Sequence, residues 1–237
     1  MAKEDLSVLT IAFSSLGALM LPIFLFTFLI EGFPFRKQIL NPWMIATLTE
    51  FYINAIIFSV WVAYKEANWI TSIIWVMLLI CFGSIATCAY IVVQILKLTP
   101  SQESSDHMYY IMLRYVYRNT TVENGTELKT KYSFVLTLRI FFSILGAVMI
   151  GTLVYTLVTD GSPFRKELST LWMLATLAGF YINVLALIVW VSYKESSCIC
   201  TVFWIVLFVC FGSVATCAYM LYGSCSRYLV LILLTLF

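Results

Sequence analysis

Six long stretches of the chain contain almost no charged residue, and this feature limits the fold more than any other. They cover about residues 7–30, 42–64, 70–96, 132–158, 171–193 and 199–222. Each reaches the roughly 20 residues that a helix needs to cross about 30 Å of hydrocarbon. Backbone groups in lipid must be satisfied within one segment, and no stretch alternates with a period of two, so helices are expected rather than a β-barrel.

Composition places these stretches in a membrane and not in a soluble core. Hydrophobic residues make up 62% of the 237 residues and charged residues only 11%, whereas soluble domains carry about 25% charged residues. The net charge of +2 is too small to indicate nucleic acid or an acidic partner. The sequence therefore predicts an all-α integral membrane protein with the lipid bilayer as its main partner. A membrane-protein partner or a second copy of the chain stays open.

The second half of the chain repeats the first at a constant offset of 129 residues. Residues 43–66 and 172–195 share 15 of 24 positions, and residues 81–90 and 210–219 share 9 of 10. Each unit contains three stretches, an odd number, so six crossings would turn the second unit upside down. The sequence predicts six transmembrane helices arranged as two inverted three-helix repeats, a plan of many secondary transporters. The expected divisions are a first unit (7–97), a central polar and amphipathic loop (98–131), a second unit (132–223) and an apolar tail (224–237).

A turn with a basic pair, GxPFRK, occurs once in each unit. Its glycine and proline are expected to end the first helix of the unit. The pairs Arg36–Lys37 and Arg165–Lys166 then lie at the head groups, where cationic side chains extend to the interface. They are interpreted either as interfacial anchors kept by the duplication or as a site for an anionic ligand or lipid head group.

The third stretch of each unit carries FGSxATCAY. Gly83 and Thr87, like Gly212 and Thr216, are small residues four apart, a spacing that lets helices approach closely in lipid. The pattern predicts a central packing seam. The alternative is a small polar patch that lines a cavity.

Polar residues inside the stretches mark a candidate intramembrane site. Glu50 lies about 12 Å into its helix at 1.5 Å per residue, and Asn54 follows one turn later on the same face. Asn183 repeats Asn54, whereas glycine takes the place of Glu50 in the second unit. An ionisable residue at this depth is costly and is a functional candidate by default. Arg139 is the predicted basic partner of Glu50, and a protonated glutamic acid bonded to Asn54 or to a neighbouring helix is the structural alternative.

Motifs of the common enzyme classes are absent from the sequence. No H-E-x-x-H, G-x-S-x-G, P-loop or dinucleotide fingerprint is found, so no catalytic residue, metal or cofactor is predicted. Whether the chain is an enzyme stays open, and the missing motifs count against it. The short acidic N-terminus is unlike a transit peptide, which favours an endomembrane or the plasma membrane over a plastid. The distribution of Lys and Arg places the central loop in the cytosol. Two glycosylation sequons, at Asn119 and Asn124, would instead require the lumen.

The paired "GxPFRK…FYIN…VWVxYKE…FGSxATCAY" units resemble a plant family of small multi-span membrane proteins whose activity is not established. The resemblance covers nearly the whole chain outside the central loop and the tail, and it implies no site residues. Three functions remain open. They are a small-solute or proton-coupled transporter, a non-enzymatic membrane scaffold or assembly factor, and a membrane-embedded lipid or isoprenoid enzyme, which the missing motifs disfavour.

Overall fold

The computed structural model describes residues 3–33, 41–66, 68–97, 126–161, 170–195 and 197–235, with the backbone alone for 3–5, 64, 126–135 and 224–235. Both predicted basic pairs, both sequons and most of the central loop lie outside the described residues. Within these ranges the regular structure is helical and forms seven helices. They are α1 (Lys3–Glu31), α2 (Pro42–Lys65), α3 (Trp69–Phe82), α4 (Ser84–Leu96), α5 (Thr126–Asp160), α6 (Leu171–Lys194) and α7 (Cys198–Thr235).

The ends of the long helices follow from local sequence. Gly32 and Gly161 come directly after α1 and α5 and both adopt a φ of 70°, which glycine tolerates best. Asn41 caps the start of α2, since its Oδ1 accepts the backbone N–H of Met44 at 2.6 Å. The first residue of α2 is a proline, whose missing N–H costs nothing there.

The outer helices present apolar side chains to their surroundings. In the described part of the chain, five helices are long and apolar enough to cross a membrane. These segments are Leu6–Glu31, Pro42–Ala63, Leu136–Asp160, Leu171–Lys194 and Cys198–Gly223. On α1 and α5, Leu29 and Val158 are more than 80% exposed, as expected for side chains that face acyl chains. The prediction of an integral membrane protein in a lipid bilayer is confirmed.

The third stretch of each unit reverses direction within the bundle. α3 ends at Gly83, where φ is 50° and ψ is −115°, and α4 starts at the next residue. The rings of Trp75 and Tyr90 then lie 5.0 Å apart, although a straight helix would separate them by about 22 Å. α7 reverses in the same way at Gly212, with φ 53° and ψ −126°, so the segment Cys198–Gly223 has the length and apolarity to cross a membrane but does not run straight. There the rings of Trp204 and Tyr219 are 4.9 Å apart.

Each reversed segment is a helical hairpin, and its second arm returns to the level at which its first arm began. Tyr90 Oη donates a hydrogen bond at 3.0 Å to Glu66, the residue that follows α2. Tyr219 Oη donates an equivalent bond of 2.9 Å to Glu195, which follows α6. We call α3–α4 hairpin one, with its tip at Gly83–Ser84. The two arms of α7 are hairpin two, with its tip at Gly212–Ser213.

The long helices of the two halves run in the same direction. The Glu31 carboxylate accepts the backbone N–H groups of Leu171 at 2.9 Å and Trp172 at 3.0 Å, so α1 ends where α6 begins. Near the end of α5, Thr156 Oγ1 donates to the carbonyl of Pro42 at the start of α2, at 3.4 Å. These four helix ends therefore lie together at one end of the bundle, the far end. The opposite end, where α2 and α6 finish and both hairpins open, is the mouth end.

The expected arrangement of six crossings in two inverted repeats is therefore not what the structure shows. Its premise was that all three stretches of a unit cross, which makes their number odd. Because the third stretch turns back at glycine, each half keeps two long helices and one hairpin. An even number of long helices leaves the second half in the orientation of the first. α5 also begins at Thr126, earlier than the predicted start at residue 132.

Contacts between helices are matched across the two halves. α1 packs against α4 and α5 against the second arm of α7, while α2 and α6 pack against each other in the centre. Each central helix also contacts the first helix and the hairpin of the other half. The glycines Gly17 and Gly146 occupy equivalent places against Cys88 and Cys217, so small residues set the closest helix approaches there.

Candidate functional site

One face of α2 and the equivalent face of α6 meet along the middle of the bundle, and we call this contact the axial seam. On α2 the face carries Glu50, Asn54, Phe58 and Trp61, whose spacing of three or four residues keeps them on one side of the helix. α6 presents the equivalent residues Gly179, Asn183, Leu187 and Trp190. At the mouth end the two faces line one cavity, and at the far end they join one buried cluster around Trp43 and Trp172.

Glu50 lies where the tip of hairpin two reaches the axial seam. Its Oε1 atom accepts the backbone N–H of Ser213 at 3.3 Å. A Cβ atom added to Gly212 would lie 1.8 Å from the same oxygen. Ser213 begins the second arm, whose first N–H groups lack partners within the helix. The carboxylate therefore lies at the positive end of a helix that starts inside the membrane-embedded bundle.

The tip of hairpin one lacks this carboxylate. Its arm begins at Ser84 without a side-chain cap. Gly179 takes the place of Glu50, and a Cβ atom there would lie 2.9 Å from Ser84 Oγ. The ring of Phe51 fills the space beside Gly83, where an added Cβ would lie 1.9 Å from it. The two tips therefore share a backbone geometry but differ in charge.

Asn54 and Asn183 lie one helical turn closer to the mouth end than Glu50 and Gly179, and both asparagines are fully buried. Asn54 Nδ2 donates to the backbone carbonyl of Glu50 at 3.1 Å, rather than to its carboxylate. Asn54 Oδ1, both polar side-chain atoms of Asn183 and Ser213 Oγ have no hydrogen-bond partner among the described residues. Such groups are rare in folded proteins because each costs free energy. We call Glu50, Asn54, Asn183 and Ser213 the polar layer.

The predicted packing seam of the third stretch has a different role. Gly83 and Gly212 turn the chain, since both have the positive φ that disfavours a side chain. Thr87 Oγ1 and Thr216 Oγ1 each donate at 3.2 Å to the carbonyl of the turning glycine. The four residues therefore form and brace the two tips, and they are not the smooth face of a straight helix.

Arg139 does not form the predicted ion pair with Glu50. The carboxylate makes its hydrogen bond to Ser213 within the described part of the protein. Arg139 lies on α5, seven residues before Gly146, which packs against Cys217. Because Cys217 follows Ser213 by four residues, Arg139 lies more than ~10 Å closer to the mouth end than the tip.

A cavity lies on the axial seam between the polar layer and the mouth end. Its volume is about 40 Å³, which exceeds the ~10–15 Å³ that one water needs. All of its lining residues are apolar or tryptophan. They are Ile57, Phe58, Trp61, Ile91, Ala186, Leu187, Trp190 and Met220. In the described ranges no group of three or more His, Cys, Asp or Glu could hold a metal ion.

Sequence reasoning missed the two tips, although one signal was present. A Gly-Ser pair with a nearby threonine lies near the middle of each third stretch, where a helix breaker is unexpected. Residues 69–82 and 84–96 on either side of Gly83 are each too short to cross a membrane alone. Read together, these features are compatible with a hairpin as well as with a span.

A family model described as a protein of unknown function, DUF1475, matches residues 1–228. No curated protein and no solved structure matches the chain. The family therefore supplies neither an activity nor site residues, and the geometry of the polar layer has to carry the functional argument.

Proposed function

The chain belongs to the DUF1475 family, and we propose that it is a membrane transport protein for a small polar solute or for protons. The pathway follows the axial seam. The two hairpin tips close it near the far end, and Glu50 is the residue on which transport depends. The structure corresponds to the closed state of this pathway.

The observation that carries the proposal is the contact between a carboxylate, that of Glu50, and a helix that is broken inside the bundle, at the tip of hairpin two. Irregular backbone at membrane depth is tolerated only where protein buries it or where it lines an aqueous cavity. Half-helix ends at this depth are the usual binding elements of secondary transporters. Glu50 adds an ionisable group at the point where hairpin two ends, 3.3 Å from the Ser213 N–H.

The polar layer gives the pathway its chemistry. Asn54 and Asn183 are completely buried and keep unsatisfied donor and acceptor atoms. In a bundle that only needed to pack, apolar side chains of similar size would cost less. Together with one carboxylate they supply a mixed set of donors and acceptors that suits a proton, water or a small polar solute.

The repeats and their topology are part of the proposal. Four long helices cross the membrane, two hairpins enter from the mouth end, and the duplicated units are related by an axis along the membrane normal. Parallel repeats of this kind also occur in transporters. The connections 34–40 and 162–169 at the far end contain four of the 14 Lys and Arg residues, which leaves ten for the helices and segments toward the mouth end. The positive-inside rule therefore places the mouth end, and the central loop with it, in the cytosol.

A scaffold or assembly factor is the second candidate, and one observation favours it. The axial seam is closely packed, since its cavity is small and apolar and both tips are in tight contact with it, Ser84 against Gly179 and Gly212 against Glu50. For a scaffold, the polar layer only fixes the packing of the helices, and no solute or proton crosses the membrane along the axial seam.

Cysteine labelling separates the two candidates without knowledge of the solute. In a variant without native cysteines, Asn54→Cys and Asn183→Cys are expected to react with a small water-soluble methanethiosulfonate added at the mouth end. Ile56→Cys is the control, because it lies at nearly the same depth on the opposite face of α2. A scaffold predicts that all three thiols remain unmodified, and that outcome would remove the transport proposal.

Proton flux tests the part played by Glu50. Liposomes that contain the full chain and a pH-sensitive dye are expected to acidify under an imposed membrane potential faster than empty liposomes. Glu50→Gln keeps the size and the acceptor oxygen of the side chain and should abolish the difference. Flux in Glu50→Gln equal to that of the unmodified protein would exclude Glu50 as the coupling residue.

A further inference from the structure

The cavity on the axial seam separates the polar layer from the mouth end. Two of its lining residues, Phe58 and Leu187, follow Asn54 and Asn183 by four residues, so they lie one helical turn nearer the mouth end. The tryptophans of α2 and α6 line the cavity three residues further along each helix. A path along the axial seam from the mouth end to the polar layer therefore passes through this cavity.

The cavity is large enough for water, but its lining does not favour water. The volume of about 40 Å³ exceeds the ~10–15 Å³ that one water needs, and a buried water typically makes about three hydrogen bonds. The side chains of the lining supply two indole N–H groups, those of Trp61 and Trp190, and no oxygen acceptor. Water inside the cavity would therefore lose most of its hydrogen bonds, and this loss costs free energy.

The lining is smaller on α6 than on α2. Ala186 stands at the position equivalent to Ile57, and Leu187 at the position equivalent to Phe58. All four side chains are buried. The smaller pair leaves space that the larger pair would fill, so a substitution at residue 186 or 187 changes the volume or the polarity of the cavity directly.

We propose that this cavity is a hydrophobic gate on the mouth-end side of the polar layer. An apolar constriction blocks conduction while water is excluded from it and conducts while water fills it. The inference rests on the proposed transport function and adds its regulation. The hairpin tips close the pathway toward the far end, and the apolar cavity closes it toward the mouth end. Because the lining contains no titratable side chain, protons reach Glu50 only while water fills the cavity.

Proton flux into liposomes that contain the full chain tests the gate. Leu187→Asn gives the cavity a donor and an acceptor without enlarging the side chain. It is expected to raise the flux about tenfold, the effect of one additional hydrogen bond to water. Ala186→Ile introduces the residue of position 57 and should reduce the flux below that of the unmodified protein. Leu185→Asn is the control and should leave the flux unchanged, because residue 185 lies on the opposite side of α6 and is 40% exposed.

A second measurement detects water in the cavity without requiring transport. In a variant without native cysteines, Asn54→Cys should react with a small water-soluble methanethiosulfonate added at the mouth end. The reaction is expected to be about tenfold faster with Leu187→Asn and slower with Ala186→Ile. Ala186→Ser adds one hydroxyl at nearly constant volume and should act in the same direction as Leu187→Asn. It keeps the test decisive if thermal unfolding shows that Leu187→Asn does not fold.

The gate and the transport function can fail separately. A folded Leu187→Asn or Ala186→Ser variant that changes neither flux nor labelling would overturn the gate, even where Glu50→Gln abolishes flux and so supports transport. Raised flux in Leu187→Asn that persists after Glu50→Gln is added would also overturn it, because protons would then bypass the pathway. Faster labelling without any flux that depends on Glu50 would support the barrier to water and remove the transport function.

Discussion

The carboxylate of Glu50 accepts the backbone N–H of Ser213 at 3.3 Å, across 163 residues of sequence. The contact joins the central helix of the first half to the tip of the hairpin of the second. Gly179 occupies the place of Glu50 in the other half, so among the described residues the tip of hairpin two contacts a carboxylate and the tip of hairpin one does not.

Replacing Glu50 with a side chain that has no acceptor oxygen should weaken the attachment of hairpin two to α2. Glu50→Ala leaves the Ser213 N–H without an acceptor and is expected to lower the free energy of unfolding by about 1–3 kcal/mol. Glu50→Gln retains an acceptor oxygen and should cost less than half as much. SDS titration of the two purified variants measures the difference, and equal losses would contradict a hydrogen-bonding role for the side chain.

The glycines at the hairpin tips should not tolerate a methyl group. Gly83→Ala and Gly212→Ala combine a positive φ with a collision, against Phe51 and Glu50 respectively, and each is expected to cost about 2 kcal/mol or more. Gly151→Ala is the control, because nothing lies within 4 Å of its added Cβ. That variant should be neutral or stabilising by up to ~1 kcal/mol. Similar thermal midpoints for all three variants would argue against the reversals.

Two tyrosine bonds should hold the returning arms of the hairpins. Tyr90→Phe and Tyr219→Phe each remove a hydrogen bond to a carboxylate, that of Glu66 or Glu195, and each should cost about 1.5–3 kcal/mol. Tyr155→Phe, at a side chain that is 61% exposed, is expected to change stability by less than ~0.5 kcal/mol. The three free energies of unfolding are compared in one detergent. A loss at Tyr155 as large as at Tyr90 would contradict the assignment.

The buried amine of Lys65 should make stability depend on pH. Its folded pKa of about 8 lies below the ordinary value of 10.5, so between these pH values the unfolded chain binds more protons than the folded one. Stability should therefore rise as pH increases from about 8 to 10.5. Thermal midpoints across this range measure the slope, and Lys65→Met should reduce it. A slope that is unchanged in Lys65→Met would assign it to other groups.

Local features of the fold could be predicted from sequence because they depend on nearby residues. The cap at Asn41, the interior position of Asn54 and the long apolar helices all follow from short-range spacing. The sharing of one face by Glu50 and Asn54 follows from the helical period alone. These are the properties that a single helix determines.

The reversals and the direction of the second half could not be predicted in the same way. A stretch of 27 residues with one central glycine is long enough to cross a membrane. The ring of Phe51, which lies where a Cβ of residue 83 would be, belongs to another helix. The hydrogen bond between Leu171 and Glu31 joins residues 140 apart, and no pattern of neighbouring residues predicts it. The predicted orientation of the second half depends on the number of crossings in the first half. Missing one hairpin there therefore gives the second half the wrong predicted orientation.

Sided labelling of single cysteines tests the central claim, that the third stretch of each unit is a hairpin open at the mouth end. In a variant without native cysteines, Asn68→Cys and Lys97→Cys flank hairpin one, and Phe33→Cys follows α1; all three positions are exposed. An impermeant maleimide applied to sealed vesicles of known orientation should modify positions 68 and 97 from the same side and position 33 from the opposite side. Modification of positions 68 and 97 from opposite sides would mean that residues 69–96 cross the membrane, which would contradict the hairpins and the parallel halves together.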